Sequence, residues 1–246
     1  VIRKDFHVHS TFSDGKHDPE EIVLEAIRLG MTDLGFSDHS WTSFDESWCM
    51  ARDRIPEYCS TIRALQKKYE DRIRIHLGIE QDYYADLSAG DYDYVIGSVH
   101  YVRKDGVYLE VDESAEIFEK NVREHYGGDY VAFAADYYEL VGNLARKTGA
   151  DIIGHFDLIT KFNEGDRLFS TAEARYIQAA RRAADRLLAH GKIFEINTGA
   201  MCRGCRTAPY PSASLQEYIR SRGGTFILSS DSHDKGTLMY GFRELE

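Results

Sequence analysis

Ten histidines occur in this chain, and the pair most suggestive of chemistry stands near its start, in Asp5-Phe6-His7-Val8-His9-Ser10-Thr11-Phe12-Ser13-Asp14-Gly15. If residues 2–8 form a strand, its period of two points His7 and His9 to the same face, where two imidazoles can hold one metal ion. A pair of partly buried strand histidines would look the same, so the pair needs partners. Candidates recur along the chain: His39 after Asp38, Glu80 after the alternating run Ile73, Ile75, Leu77 and Ile79, then His100, His155, and finally Asp231 and His233. One metal usually takes about four to six donors, fewer than these histidines and carboxylates supply, and a carboxylate such as Glu80 can bridge two ions. The count points to two or three ions, with Asp14 and His17 in the first loop as further ligand candidates. His76, inside a strand, and His125 and His190, on helices, read instead as packing or surface residues.

Other chemistries find less support. Cys202-Arg203-Gly204-Cys205 is a CxxC, but a zinc ribbon needs a second such pair, and a thioredoxin-type motif would open a helix after an early strand. Reduced thiols at Cys49, Cys59, Cys202 and Cys205 are the expectation. A formal net charge of -11 argues against a nucleic-acid surface, since phosphate contacts need clustered Lys and Arg. A small anionic substrate fits, because carboxylates around divalent cations count as negative in the sequence while the loaded site is positive. No run of 18 apolar residues and no basic leader followed by an apolar segment is present, so neither a membrane span nor secretion is expected, and the cytoplasm is the default. The sequence carries no signal for oligomeric state.

The elements that must position these side chains alternate. Strands are expected at residues 2–8, 32–37, 72–79, 93–98, 151–154, 192–196 and 225–228, and helices at 19–29, 56–69, 113–125, 129–147, 170–190 and 211–222. Asp18-Pro19-Glu20-Glu21 supplies an N-cap, a first-position proline and two acids, and Ser170-Thr171-Ala172-Glu173 has a capping-box pattern. Residues 40–54 form an irregular aromatic loop, a candidate lid or a packed rim. With no linker in its 246 residues and 43% hydrophobic content, the chain is expected to form one α/β domain over residues 1–246. The rim residues then fall at the C-terminal ends of strands, where barrel active sites sit, and ligands on both the first and last strand favour closure into a barrel. An open doubly wound sheet is the alternative, but it lacks a glycine-rich dinucleotide fingerprint.

The ordered set His7-x-His9, Ser13-Asp14-Gly15, Asp38-His39, Gly78-Ile79-Glu80, Ser98-Val99-His100, Gly154-His155 and Ser230-Asp231-Ser232-His233 resembles the PHP (polymerase and histidinol phosphatase) superfamily. Residues 96–101, 154–161 and 195–199 are similar to its histidinol-phosphate phosphatases, and the likeness runs from residue 5 to about 243. The resemblance implies a single-domain distorted (β/α)7 barrel with a trinuclear centre that hydrolyses L-histidinol phosphate, and mixed histidine and carboxylate ligands suit Zn, Fe or Mn. It implies a first metal on His7, His9, Glu80 and Asp231 and a second on Glu80, His100 and His155. A third would take His39, His233 and either Asp14 or His17, with Asp14 preferred because the Ser-Asp-Gly turn is intact. Glu80, Asp231 and His233 are the candidates for catalytic roles, with in-line attack on phosphorus by a hydroxide bridging two metals. Arg203, Arg206 and Lys161 are candidate phosphate clamps. Asp45, Glu46 and Asp82 could meet a cationic substrate end, and Trp41 or Phe44 could stack on its ring. The rivals are an amidohydrolase, which usually bridges its metals with a modified lysine, a PHP site acting on another phosphate ester, a nucleotide or a nucleic-acid end, and a non-catalytic metal-binding domain.

Overall fold

Seven parallel strands wind around one axis in a computed structural model that describes residues 2–86 and 90–245. In chain order the described strands are β1 (Lys4–Asp5), β2 (Asp33–Phe36), β3 (Arg74–Asp82), β4 (Tyr94–Ser98), β5 (Tyr101–Lys104), β6 (Val107–Glu110), β7 (Ile152–Ile153), β8 (Ile193–Asn197) and β9 (Phe226–Ser229). The helices are α1 (Pro19–Arg28), α2 (Ile55–Lys68), α3 (Ala115–Tyr126), α4 (Tyr130–Val141), α5 (Leu144–Thr148), α6 (Ala174–Ala189), α7 (Gly199–Cys202), α8 (Ala213–Ser221) and α9 (Phe242–Leu245). The order around the sheet is β1-β2-β3-β4-β7-β8-β9, while β5 and β6 form a separate antiparallel hairpin. The barrel closes just beyond its first and last strands: Val8 bridges Ser232 in parallel, the His9 N–H donates to the Ser232 carbonyl at 2.9 Å, and the Ser232 N–H donates to the His7 carbonyl at 3.1 Å. The expected closed barrel of seven strands is what forms.

Local sequence explains the interior. Tyr94 points across the barrel and donates its hydroxyl to the carbonyls of Phe6 at 2.6 Å and Phe36 at 3.1 Å, tying strands on opposite sides together. It fits because Gly78 faces its ring: a Cβ there would lie 2.3 Å from the ring carbon. Tyr94, Ile96 and Ile152, with Phe6 and Ile227 against them, form an apolar plug below the rim. Outside the strands, α1 and α2 cover β2 and β3 with Ile22, Val23, Tyr58 and Ile62, and α4 and α6 cover the opposite half with Phe133, Tyr137, Ala180 and Ala184. Burial of such side chains is worth roughly 1.5–3 kcal/mol each, which makes these two layers the main source of stability.

Several boundaries differ from expectation for identifiable reasons. The first strand is ladder-paired only at Lys4–Asp5, and β3 runs on through Asp82, so Glu80 lies within a strand and not at its end. The helix expected over 129–147 is interrupted after Val141, because Gly142 sits against α6, where a Cβ would lie 3.1 Å from the Ala183 Cα, and Asn143 donates its side-chain amide to the Glu139 carbonyl at 2.7 Å. That side chain competes for the carbonyl a continuing helix would use. Ser170 does not cap a helix: Asp166 accepts from the Thr171 N–H at 3.1 Å, and α6 begins only at Ala174 with Glu173 as its N-cap. Among the described residues no helix is long and apolar enough to cross a membrane.

Candidate metal centre

The histidines and carboxylates picked out along the sequence converge on Glu80, whose carboxylate is buried at the centre of the rim. Its Oε2 lies 3.1 Å from His7 Nε2, 3.6 Å from His9 Nε2 and 2.8 Å from His39 Nδ1. Its Oε1 lies 3.0 Å from His155 Nε2 and 3.6 Å from His100 Nε2. Asp231 closes the ring from beyond β9, with Oδ1 3.4 Å from His9 Nε2 and 3.7 Å from His7 Nε2. Asp14 adds a third side, its carboxylate 3.2 Å from His233 Nε2, 3.7 Å from His39 Nε2 and 3.8 Å from His9 Nδ1. His17 turns away to Asp234, 3.3 Å distant, so of the two first-loop candidates only Asp14 faces the cluster.

Three overlapping groups have ligand atoms within 4.8 Å of one another: His9, Asp14, His39 and His233; His7, His9 and Glu80; and His39, Glu80 and His100. Buried polar atoms are ordinarily hydrogen-bonded. Here His7 Nε2, both His9 ring nitrogens and Glu80 Oε2 are buried without a hydrogen-bond partner. Lone pairs of this kind aimed at one region suit divalent cations held by mixed imidazole and carboxylate donors.

The local chain explains why these side chains point inward. Asp38, buried behind the first loop, accepts from the Ser10 N–H at 2.9 Å, the Ser13 N–H at 3.1 Å and both serine hydroxyls, folding the Ser10-to-Gly15 turn that presents Asp14. Gly15 packs so closely on His9 that a Cβ would lie 2.5 Å from its carbonyl carbon. Asp231 adopts φ 51°, a left-handed conformation costly for a non-glycine residue, of the kind that concentrates at functional sites. The Asp5 carboxylate helps hold it there, accepting from the Ser230 N–H at 3.1 Å, the Ser230 hydroxyl at 2.5 Å and the Met239 N–H at 3.1 Å.

Two supporting carboxylates were not recognised as such in the sequence. Glu195, fully buried on β8, faces His7 Nδ1 at 2.7 Å through Oε1, while its Oε2 accepts from the His155 N–H at 3.0 Å and the Asn197 side chain at 3.1 Å. A carboxylate behind a ligand imidazole fixes its tautomer and orientation. Asp82 does the same for His100, accepting its N–H at 3.1 Å and facing its Nδ1 at 3.2 Å. The signal that could have found Asp82 is strand periodicity, which puts it on the same face as Glu80. The expectation that Asp82 meets substrate does not hold, because it is 1% exposed beneath His100.

The electrostatics follow from burial against dense charge. Burial disfavours charged His7, but Glu195, Glu80 and Asp231 outweigh it and raise its pKa well above the ordinary value. Burial together with His233 and His39 pushes His9 down to about 3. Burial opposes a charged His100, yet Asp82 and Glu80 raise it to about 9. Glu80 and Asp231 both stay ionised: burial alone would raise them, but His39 and His7 around Glu80, and Arg203 and His7 around Asp231, pull them well below the carboxylate range. The cluster thus holds protons that a cation would displace.

A cavity of about 330 Å³ opens onto this cluster and is lined by Asp14, His39, His100, His155, Asp231 and His233 together with Trp48, Tyr101, Lys161 and Arg203, among others. Arg203 donates to the Asp231 carboxylate at 3.0 Å and carbonyl at 3.2 Å, and Gly199 leaves room for the pair, since a Cβ there would lie 2.6 Å from Asp231 Oδ2. Lys161 donates to the Asp112 carbonyl at 2.6 Å and carboxylate at 3.2 Å. Arg206 is placed otherwise than expected: it is not among the lining residues, its guanidinium donates to Thr160, and it lies over the Tyr210 ring, bracing the wall. Asp45 accepts from the Tyr101 hydroxyl at 2.6 Å, Glu46 from the Trp41 indole at 2.9 Å, and Phe44 stacks on Tyr108 at 3.8 Å, so these three support the loop. Trp48, one of the aromatics of the 40–54 loop expected to form a lid or a packed rim, is the one that reaches the site, edge-on to His39 at 4.6 Å. His76 faces Asp33 at 3.2 Å, away from the cluster, and the four cysteines are free thiols.

A parallel barrel carrying a histidine and carboxylate cluster at the C-terminal ends of its strands defines a class of metal-binding (β/α) barrels. The chain belongs to the PHP domain family, whose model matches residues 5–199; Asp231 and His233 lie beyond the matched stretch. It is 31% identical to a "Probable histidinol-phosphatase" of Deinococcus radiodurans over 98% of this chain and 90% of that one. The fold is shared with the hisK protein of Listeria monocytogenes, with a TM-score of 0.84 at 22% identity over 98% of this chain and 99% of that one. It is also shared with a histidinol phosphate phosphatase of Lactococcus lactis, with a TM-score of 0.70 at 24% identity over 96% and 88%; that protein's crystal structure holds Zn, L-histidinol and phosphate.

Proposed function

We propose that this protein is a metal-dependent phosphomonoesterase that hydrolyses L-histidinol phosphate to L-histidinol and phosphate. The observation that carries the reading is the group of buried, unpaired ring nitrogens around Glu80, opening onto a cavity with Arg203 and Lys161 in its wall. Support comes from the near full-length similarity to a relative named as a histidinol-phosphatase and from the Zn, L-histidinol and phosphate held by the Lactococcus lactis structure.

Three divalent ions, Zn, Fe or Mn, suit the donors. His7, His9, Glu80 and Asp231 would hold the first, Glu80, His100 and His155 the second, and Asp14, His39 and His233 the third. When bound, such ions supply Lewis-acid charge to phosphate oxygens and lower the pKa of coordinated water towards neutrality. The chain's own groups do the rest. Glu80 faces two donor sets with its two oxygens, and Glu195 and Asp82 hold His7 and His100 in one orientation. Arg203, fixed by Asp231, offers a planar fork that matches phosphate oxygens, and Lys161, also in the cavity wall, adds a point charge. Asp231 Oδ1, facing His7 and His9, can take the proton of an attacking water and pass it to the leaving alkoxide, while His233, its Nδ1 committed to the Asp231 carbonyl, keeps Nε2 for the third donor set. Burial around them keeps this charge stabilisation unscreened by bulk water.

Phosphate release from L-histidinol phosphate, measured beside a panel of small phosphomonoesters and diesters with and without chelator, tests the reading. Turnover of L-histidinol phosphate well above the panel, abolished by chelator, is the expected result. Equal rates across the panel would remove the specific substrate and leave a phosphoesterase, and full activity in protein shown to contain no metal would remove both.

A further inference from the structure

The cavity has two chemically different ends. At the buried end stand His155, Asp231 and His100, with Arg203 and Lys161 nearby. At the more exposed end stand Glu110 and Glu113, at the close of the β5–β6 hairpin. A third acid of this stretch, Asp112, faces the buried end instead, where Lys161 donates to its carboxylate at 3.2 Å. Neither the Glu110 nor the Glu113 carboxylate has a hydrogen bond or ion pair among the described residues, whereas the other acids lining the cavity, Asp14, Asp112 and Asp231, are paired.

The hairpin fixes where this free charge sits. Tyr101 follows the ligand candidate His100 directly and is the cross-strand partner of Glu110. The base of the hairpin is pinned to that ligand, because the Val111 N–H donates to the His100 carbonyl at 3.0 Å. Cross-strand partners stand roughly 4.5–5.5 Å apart at Cα. Glu110 is therefore held about one strand spacing from the metal-ligand backbone. On the same wall, Trp48 donates its indole N–H to the Tyr101 hydroxyl at 2.8 Å, which gives the acids a fixed aromatic neighbour. An anion-seeking buried end and an uncompensated acidic outer end, a short distance apart, suit a phosphate monoester whose carbon chain carries an ammonium group close to the esterified carbon.

We infer that Glu110 and Glu113 are the specificity-determining residues of this site, selecting phosphate monoesters that bear an ammonium group beside the ester. The inference rests on the phosphomonoesterase reading above and names what sets its substrate class. An ammonium-to-carboxylate hydrogen bond makes substrates lacking the amine poor competitors, since they leave the acids without a partner.

The test compares kcat/KM for L-histidinol phosphate, for the same ester without its amine, and for phosphoethanolamine. It uses the zinc-loaded wild type, Glu110→Gln, Glu113→Gln and the double variant, with metal content measured in each. The wild type is expected to prefer the amine-bearing ester, and each substitution to cut that preference about tenfold, mainly through KM, with on the order of 100-fold in the double variant. Metal content should stay at the wild-type level, which a merely structural role would not predict. Equal losses on the esters with and without the amine, or no loss in either, would overturn the inference and leave the phosphomonoesterase reading standing. Turnover of phosphoethanolamine as fast as L-histidinol phosphate, with the same dependence on both glutamates, would remove the histidinol assignment and keep the inference. A zinc-loaded wild type inert towards every ester would overturn both.

Discussion

Glu195→Gln changes a single atom, yet it should disable the metal centre through a tautomer. Glu195 Oε2 serves two donors, the His155 N–H and the Asn197 side chain, whereas Oε1 faces only His7 Nδ1 at 2.7 Å. A glutamine will keep its carbonyl oxygen on the two-donor side and turn its NH2 towards His7. His7 Nδ1 must then accept, which moves the ring proton to Nε2, the atom that faces Glu80 and Asp231. A protonated Nε2 cannot ligate. The lost bond involves a charged acceptor and is worth about 1.5–3 kcal/mol, and replacing a carboxylate behind a ligand histidine typically costs about 10- to 100-fold in metal affinity or activity. Competition between metal-stripped protein and a fluorescent zinc chelator measures the affinity directly, and thermal melting of the metal-free protein reports the fold. The expected result is a 10- to 100-fold weaker zinc affinity with a metal-free melting temperature close to wild type. Unchanged affinity would refute the tautomer argument, and a collapsed melting transition would mean that Glu195 is structural.

Gly15→Ala places a Cβ 2.5 Å from the His9 carbonyl carbon, so the first loop must shift and carry Asp14 with it. A destabilisation of about 1–3 kcal/mol is expected in urea denaturation, together with loss of the weakest zinc equivalent in a titration. Far from the cluster, Asp93 pins α2 to the barrel: it accepts from the Leu77 N–H at 2.8 Å and from Arg63 at 2.7 Å. Burial opposes its charge, but the Leu77 N–H and Arg63 prevail and lower its pKa below the ordinary value. Its folded value is below its unfolded one, so its contribution is present above pH 3.8 and lost as pH falls through the folded value. Asp93→Asn should cost about 1 kcal/mol at pH 7, discounted because the carboxylate is partly exposed, and the gap to wild type should shrink in acid. A gap that grows on acidification would contradict the sign.

The ligand set could be read from the sequence because a parallel barrel converts strand order into position. His7, His9, His39, His100 and His155 each sit at or just past the end of a strand, and strand ends share one rim. What stayed hidden depends on long-range burial. Glu195 looks like any acid in an alternating strand until β8 is seen facing His7 from 188 residues away. Arg203 and Arg206 look equivalent as cations three residues apart, and only the packing of Thr160 and Tyr210 draws Arg206 off the cavity. The same limit applies to helix ends: Asn143 and Asp166 take backbone partners that local propensity does not anticipate. Glu110 carries no motif at all, and its position becomes visible only through the hairpin register that sets it opposite Tyr101.

The central claim is that one rim builds a multinuclear centre for phosphate ester hydrolysis. Adding zinc stepwise to metal-stripped protein, while following phosphate release from L-histidinol phosphate, tests it most directly. Activity should rise with bound zinc and level off at three ions per chain, one for each of the proposed donor sets. Saturation at a single ion per chain, or phosphate release before any ion binds, would contradict it.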